Sequence, residues 1–189
     1  MRDRLFFPLA FILACTFILM ALQPFAQRVP SGPVSGGGRN AEDVTVKDAE
    51  LHRFQPGNYD SIQIVPAAGE NPTVLRIARQ ATEDYQDPRS GPHLILAEDI
   101  EYAMEHRKIQ VDIEARAAGE FGASQFEANY FAKSEFETGW KQFDLTQEFQ
   151  TFRFTFDTPP RGETVGYDYI GIRPVAPDKS RTMDVRSVR

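Results

Sequence analysis

The stretch "GWKQFDLTQEFQTFRFTFDTPP", Gly139 to Pro160, alternates aromatic and polar residues with a period of two. That is the period of a β-strand, whose successive side chains point to opposite faces. Phe152, Phe154 and Phe156 are therefore expected on one face, directed into a core. Thr151, Arg153 and Thr155 are expected on the other, directed to solvent. Phe143 and Leu145 of the preceding strand have the parity that joins the same core. Burial of each phenylalanine stabilises by roughly 2–3 kcal/mol, so this strand contributes a large part of what holds two layers together.

Working outward, the same period recurs on both sides. "RKIQVDIEARAA" sets Ile109, Val111, Ile113 and Ala115 against Gln110, Asp112, Glu114 and Arg116. "SQFEANYFAK" sets Phe126, Ala128 and Tyr130 against Glu127, Asn129, Phe131 and Lys133. Shorter runs follow the rule: Val44 and Val46, Ile62 and Ile64, "TVLRIARQ", "HLILA", "TVGYDYIGIRP" and "TMDVRSV". Turn residues separate them at Pro56-Gly57-Asn58, Gly69 to Pro72, Asp87-Pro88, Gly119, Pro159-Pro160 and Pro177-Asp178. Only "EDIEYAMEHRK", Glu98 to Lys108, has the look of a helical turn or two. About nine or ten short strands without a repeat unit predict an all-β, two-sheet antiparallel sandwich.

The chain begins differently. "LFFPLAFILACTFILMALQ", Leu5 to Gln23, carries no charge, and its nineteen residues at 1.5 Å each span roughly 28 Å, close to the hydrocarbon thickness of a bilayer. An uncleaved transmembrane helix is the expectation. A cleaved signal peptide is the competing reading, although Pro24 spoils the small-residue site in "QPFAQ". Cys15 after "ILA" resembles a lipoprotein box, but the apolar run continues through Thr16–Leu22. Arg2 and Arg4 flank the short end, which places the N-terminus in the cytoplasm and the rest outside, in a bacterial periplasm. The expected organisation is a membrane anchor over 1–26 with its helix at 5–23, a Gly/Ser/Pro linker over 27–40, and the sandwich over 41–189.

Charge and cysteine content narrow the function. The 189 residues carry a net charge of −6 and show no basic stripe, which argues against a nucleic-acid partner. Cys15, the sole cysteine, lies in the apolar run, so the sandwich has no disulfide framework and no cysteine metal site. Asn71-Pro72-Thr73 is disqualified as a glycosylation acceptor by its proline. His52, His93 and His106 have no metal-ligand spacing, and Ser124 lacks the second glycine of a nucleophile elbow. The chain is read as a non-enzyme.

"KIQVDIEARA", then "WKQFDLTQEFQTFRFTF", then "MDVRSVR" together resemble the galactose-binding-like jelly rolls, and among them the carbohydrate-binding modules attached to glycoside hydrolases. The resemblance covers Ser61 to Arg189. It places Phe149 where a tryptophan is more usual and Asp184 at the last-strand aspartate. It implies a jelly-roll sandwich, carbohydrate as the ligand, and a calcium site. Asp184 with Glu50, or the loop residues Glu83, Asp84 and Asp87, are the candidate ligands for that cation. "LHRFQPGNYDS" replaces the Gly/Asn-rich opening that supplies one side of the calcium site in such modules.

Sugar sites set aromatic faces against pyranose rings and planar polar groups against hydroxyls. The candidates here are Glu127, Asn129, Phe131, Trp140, Arg153, Tyr167, Tyr169 and Arg173. Against this stands the ordinary reading of alternating charges on neighbouring strands as a solvated ladder. Trp140, the single tryptophan, reads equally as a cap on a core end or as an exposed stacking platform. Two functions are thus expected: a membrane-anchored, extracytoplasmic, carbohydrate-binding interaction module, or an accessory subunit of a multi-subunit integral-membrane complex.

Overall fold

The computed structural model describes residues 3–22, 29–38, 41–80, 86–119, 121–132, 136–160 and 166–189, with the side chains of residues 3–5 and 21–22 left aside. Gln23, Gln27 and Arg28, Arg39 and Asn40, Glu83 and Asp84, and Lys133, on all of which the sequence reading drew, lie outside the described residues.

The elements follow the period-two pattern closely. They are β1 (Val46–Lys47), β2 (Asp60–Val65), β3 (Val74–Arg79), β4 (His93–Leu96), β5 (Lys108–Ala117), β6 (Gln125–Ala132), β7 (Phe136–Glu137), β8 (Lys141–Asp144), β9 (Gln150–Asp157), β10 (Asp168–Pro174) and β11 (Arg181–Val188). Helix α1 spans Asp3–Leu22 and helix α2 spans Glu98–Met104; short 3-10 turns cover Asp48–Arg53 and Pro88–Ser90.

Two antiparallel sheets result. The first has six strands in the order β2-β3-β11-β5-β9, with β1 beside β11. The second has five, in the order β4-β10-β6-β7, with β8 beside β6. From β8 onward, successive strands alternate between the sheets, which is the winding of a jelly roll. A register shift between Val185 and Ser187 bulges β11 against β5 and lets β1 continue its edge.

The core lies between the sheets. Leu75, Ile77, Ile113, Ala115, Phe126, Ala128, Ile172, Met183 and Val185 are fully buried there. Phe154 and Phe156 are buried and Phe152 is partly so, as the alternation requires. Tyr130 stacks on Phe156 with centroids 4.4 Å apart, and Phe126 meets Phe152 edge-on at 5.0 Å and stacks on Phe143 at 5.1 Å. Leu145 completes the layer.

Two parts of the chain outside the named strands also pack on the sandwich. Glu98–Met104 is an α-helix, in the stretch that had the look of a helical turn or two; Ile100 and Ala103 give it an apolar side that packs on the open end of the sandwich. Val29–Gly38 packs on the sandwich. Val34 is buried, its N–H donates to Ile95 O at 2.7 Å, and its carbonyl accepts from Ala97 N at 2.8 Å, adding a parallel bridge to the edge of β4. Arg53 Nη1 also donates to the carbonyl of Ser31 at 2.9 Å.

Helix α1 forms where the apolar run predicts a helix, and its 20 residues include Pro8 in the first turns. Its side chains from Phe6 to Met20 are apolar apart from Thr16 and mostly exposed, Phe7 and Leu9 at 72%. The spanning role expected of Leu5 to Gln23 does not follow from this, since among the described residues no helix is long and apolar enough to cross a membrane.

Candidate functional site

Period two places Glu127, Asn129 and Phe131 of β6 on the outward face of the second sheet, together with Tyr169, Gly171 and Arg173 of β10. The register pairs them directly: Tyr169 opposite Phe131, Gly171 opposite Asn129, and Arg173 opposite Glu127. Trp140 comes to the same face from the start of β8, whose Gln142 lies opposite Glu127. Six of the eight sequence candidates therefore meet on one surface.

Each has a defined partner. Arg173 donates from Nε to Glu127 Oε2 at 2.8 Å, and its guanidinium lies 3.9 Å from the centre of the Trp140 ring. Trp140 in turn donates from Nε1 to the carbonyl of Gln86 at 3.1 Å. Phe131 and Tyr169 stand side by side with centroids 6.4 Å apart, and His93 of β4 meets Tyr169 edge-on at 5.6 Å. Asn129 is 1% exposed; its Oδ1 accepts from Thr138 Oγ1 at 3.1 Å, while its Nδ2 is buried with no hydrogen-bond partner. A buried amide N–H left in that state is a place where an acceptor from outside gains more than its usual share.

The carbohydrate candidates did not include the segment that covers this face, although Asp87 within it was a candidate calcium ligand. Residues 86–91 run across it around the Pro88–Ser90 turn. Gly171 makes the crossing possible: a Cβ there would meet Pro88 Cβ at 2.7 Å and the Trp140 ring at 3.2 Å. Asp87 caps the turn, accepting from Arg89 N at 2.9 Å, and holds the Arg89 side chain through Nε and Nη2 at 2.9 and 2.6 Å. Arg89 is thereby fixed over the two rings, 5.7 Å from Phe131 and 5.9 Å from Tyr169. The Arg89 hydrogen bond holds the Asp87 carboxyl below its usual range against the opposing effect of burial. Burial lowers His93, whose Nδ1 lies 2.8 Å from Gly91 O. The sequence signal for this cover is the Asp87-Pro88 turn, which the sequence presents as a strand separator and, through Asp87, as a candidate calcium ligand.

Two candidates lie apart from the cluster. Arg153 is on the outward face of the first sheet, where Nε and Nη2 donate to Asp112 at 2.7 and 2.9 Å; β9 and β10 belong to different sheets, which no alternation within a strand reveals. Tyr167 precedes β10, 48% exposed. Two of the six clustered residues, Asn129 and Arg173, are buried and so present little surface, because the 86–91 segment and Trp140 lie over them.

Asp184 does not fit a calcium ion. The carboxylate is fully buried and its oxygens accept from Arg76 Nε and Nη2 at 2.8 and 3.1 Å and from Arg116 Nε at 3.3 Å. Two guanidinium groups stand where a cation's other oxygen ligands would be needed. Glu50 pairs with Arg53 and Asp87 with Arg89, and among the described residues no group of three or more candidate ligands converges.

No family model matches the chain, and no curated protein matches it by sequence. Its likeness is to solved structures. The CBM22-1 xylan-binding domain from Paenibacillus barcinonensis Xyn10C superposes with a TM-score of 0.50 at 6% identity, over 84% of this chain and 97% of that one. The CBM22-2 xylan-binding domain of the same protein gives 0.49 at 7% identity, over 72% and 89%. The likeness is one of fold, a jelly roll such as the sequence resemblance implied.

Proposed function

We propose that this chain is a non-catalytic interaction module that binds carbohydrate on the outward face of its second sheet. The observation that carries the reading is the side-by-side placement of the partly exposed Phe131 and Tyr169 rings under the guanidinium of Arg89, which Asp87 holds. Ring surface beside the guanidinium offers an apolar contact to a pyranose ring, and the paired charges offer donors and acceptors to hydroxyls. The jelly-roll fold supports the reading. Trp140, the only tryptophan, touches Arg173 on the same face and makes a built-in fluorescent reporter.

The test is affinity electrophoresis and a glycan array with the full chain. Retardation by a polysaccharide should be weakened about tenfold or more by Tyr169→Ala and by Phe131→Ala, a loss of about 1.4 kcal/mol each. Binding that ignores both substitutions refutes this face, and failure to bind any glycan refutes the function.

The membrane anchor belongs to the same proposal. Helix α1, with Phe6, Leu9, Phe11, Leu13, Phe17 and Leu19 exposed, has an apolar surface on every side and needs an apolar medium or partner. The N-terminus then lies in the cytoplasm and the sandwich outside, in a bacterial periplasm. Resistance of the chain to alkaline extraction, with the sandwich cleaved by protease added from outside, is the expected result. The same helix favours the second reading, an accessory subunit whose helix docks in a membrane complex. Stoichiometric co-migration with that complex after mild solubilisation would select it over free glycan binding.

A further inference from the structure

A cleft of about 580 Å³ opens at the end of the sandwich where α2 packs, away from the aromatic face. Its floor is aliphatic: Leu96, Ile100, Met104, Ile109 and Val111 are among the residues that line it. No aromatic ring lines it, so it lacks the surface on which a sugar ring stacks. Its volume falls within the range of small-ligand sites, roughly 300–1,000 Å³.

The rim is charged, and its charges are unequally engaged. Arg189 holds Asp43 through Nε and Nη2, both at 2.7 Å, and Arg153 holds Asp112. Arg107 and Lys108, which lead from α2 into β5, are exposed on the same rim, and no ion pair engages either among the described residues. Glu42 is the one remaining acid on the rim. The side chains of the opening therefore carry an excess of one positive charge, four cations against three acids, set at the mouth of an aliphatic floor.

We propose that this cleft binds a single-chain amphiphile with an anionic head, a free long-chain carboxylate. The chain lies along Met104, Ile109 and Val111, and the carboxylate meets Arg107 and Lys108. The guanidinium and ammonium donors supply charge-assisted hydrogen bonds that a neutral head cannot match. Burial of the alkyl chain provides the affinity.

The test uses the full chain in detergent micelles with hexadecanoic acid bearing a diazirine near its tail. After illumination, peptide mass spectrometry should place the adduct between Met104 and Val111. The double reversal Arg107→Glu with Lys108→Glu, at exposed positions, should reduce that adduct about tenfold. Met104→Trp, which fills the cleft, should abolish it; a circular-dichroism melt accompanies this variant, and the charge reversal stands if the variant does not fold. Adducts confined to α1 would overturn the proposal. So would equal labelling by the corresponding diazirine alcohol, or adduct formation by a diacyl phospholipid in preference to the free acid.

Discussion

The guanidinium of Arg173 is held between two neighbours, the Glu127 carboxylate at 2.8 Å and the Trp140 ring at 3.9 Å from its centre. Trp140 is tied by its indole N–H to Gln86, so this one residue joins β6, β10 and the covering segment 86–91. Trp140→Ala removes the stack, the hydrogen bond and the ring beside Gly171 together. For a partly buried tryptophan the expected loss is about 2 kcal/mol, below the 3–5 typical of a core position. Denaturant unfolding followed by circular dichroism measures it; a change within about 0.5 kcal/mol would mean that Pro88 and the Asn58 hydrogen bond to Ser90 hold the segment without Trp140.

Asp184 makes a different prediction. Its buried carboxylate neutralises Arg76 and Arg116, whose side chains are 39% and 29% exposed. Asp184→Ala leaves two cations facing each other across an apolar void, at a cost of about 3 kcal/mol in unfolding free energy. Millimolar calcium should leave the melting temperature of the native chain unchanged, because the guanidinium groups hold the oxygens that the metal would need. A calcium-dependent rise of several degrees would refute this account of the site.

The contrast between Asp184 and Phe154 shows what the sequence could disclose. The inward set of β9, β5 and β6 was legible because side-chain direction along a strand depends only on parity, and burial then follows from polarity. That Glu127, Asn129 and Phe131 share a side of one strand, and Tyr169 and Arg173 a side of another, was legible for the same reason; that the two strands are neighbours was not. Asp184's partners were not, since Arg76 and Arg116 reach it from β3 and β5 across the sheet, and strand order is a long-range property. Neither parity nor composition indicates that Pro88 crosses Gly171. Nor does parity show that Arg153 stands on the other sheet from the tyrosines, since its strand pairs with β5.

His93 sets the pH response of the candidate face. Burial holds its imidazole below the ordinary value of about 6.5, more strongly than the hydrogen bond to Gly91 and the Asp87 charge raise it. As pH falls through about 6.5 the unfolded chain takes up the proton first, so stability declines until the folded imidazole titrates too. The melting temperature should therefore fall between about pH 7 and the lower, folded value. His93→Phe keeps a ring edge against Tyr169 and should flatten that slope, although the lost Gly91 contact lowers the curve as a whole. His52 and His106 are exposed and present in both proteins, so a slope that survives the substitution would remove His93 as its cause.

The segment from Val29 to Gly38 has the composition of a flexible tether, yet Asp99 holds its glycines while Arg53 and the Val34 bridge hold the rest. Asp99 Oδ2 accepts from Ser35 Oγ at 2.7 Å, Gly36 N at 3.0 Å and Gly38 N at 3.1 Å. Burial raises its carboxyl, but the Ser35 hydroxyl and the N–H groups of Gly38, Ile100 and Gly36 outweigh that and leave it below 3.8. Glycine at position 36 permits the close turn, where a Cβ would meet Ala41 Cβ at 2.3 Å. Asp99→Ala deletes the shared acceptor while leaving the Val34 bridge to β4 in place. Hydrogen exchange of the Val34 amide should quicken about tenfold, for a loss of about 1.4 kcal/mol in local opening, with the amides of β5 and β11 unaffected. Because the folded carboxyl titrates below 3.8, the contact is fully present at neutral pH and is lost only as the pH falls through that lower value. The sandwich would then keep its melting profile while protease gained access near Gly37. If exchange at Val34 were unchanged in the variant, the β4 bridge and the Arg53 contacts would fix the segment without Asp99.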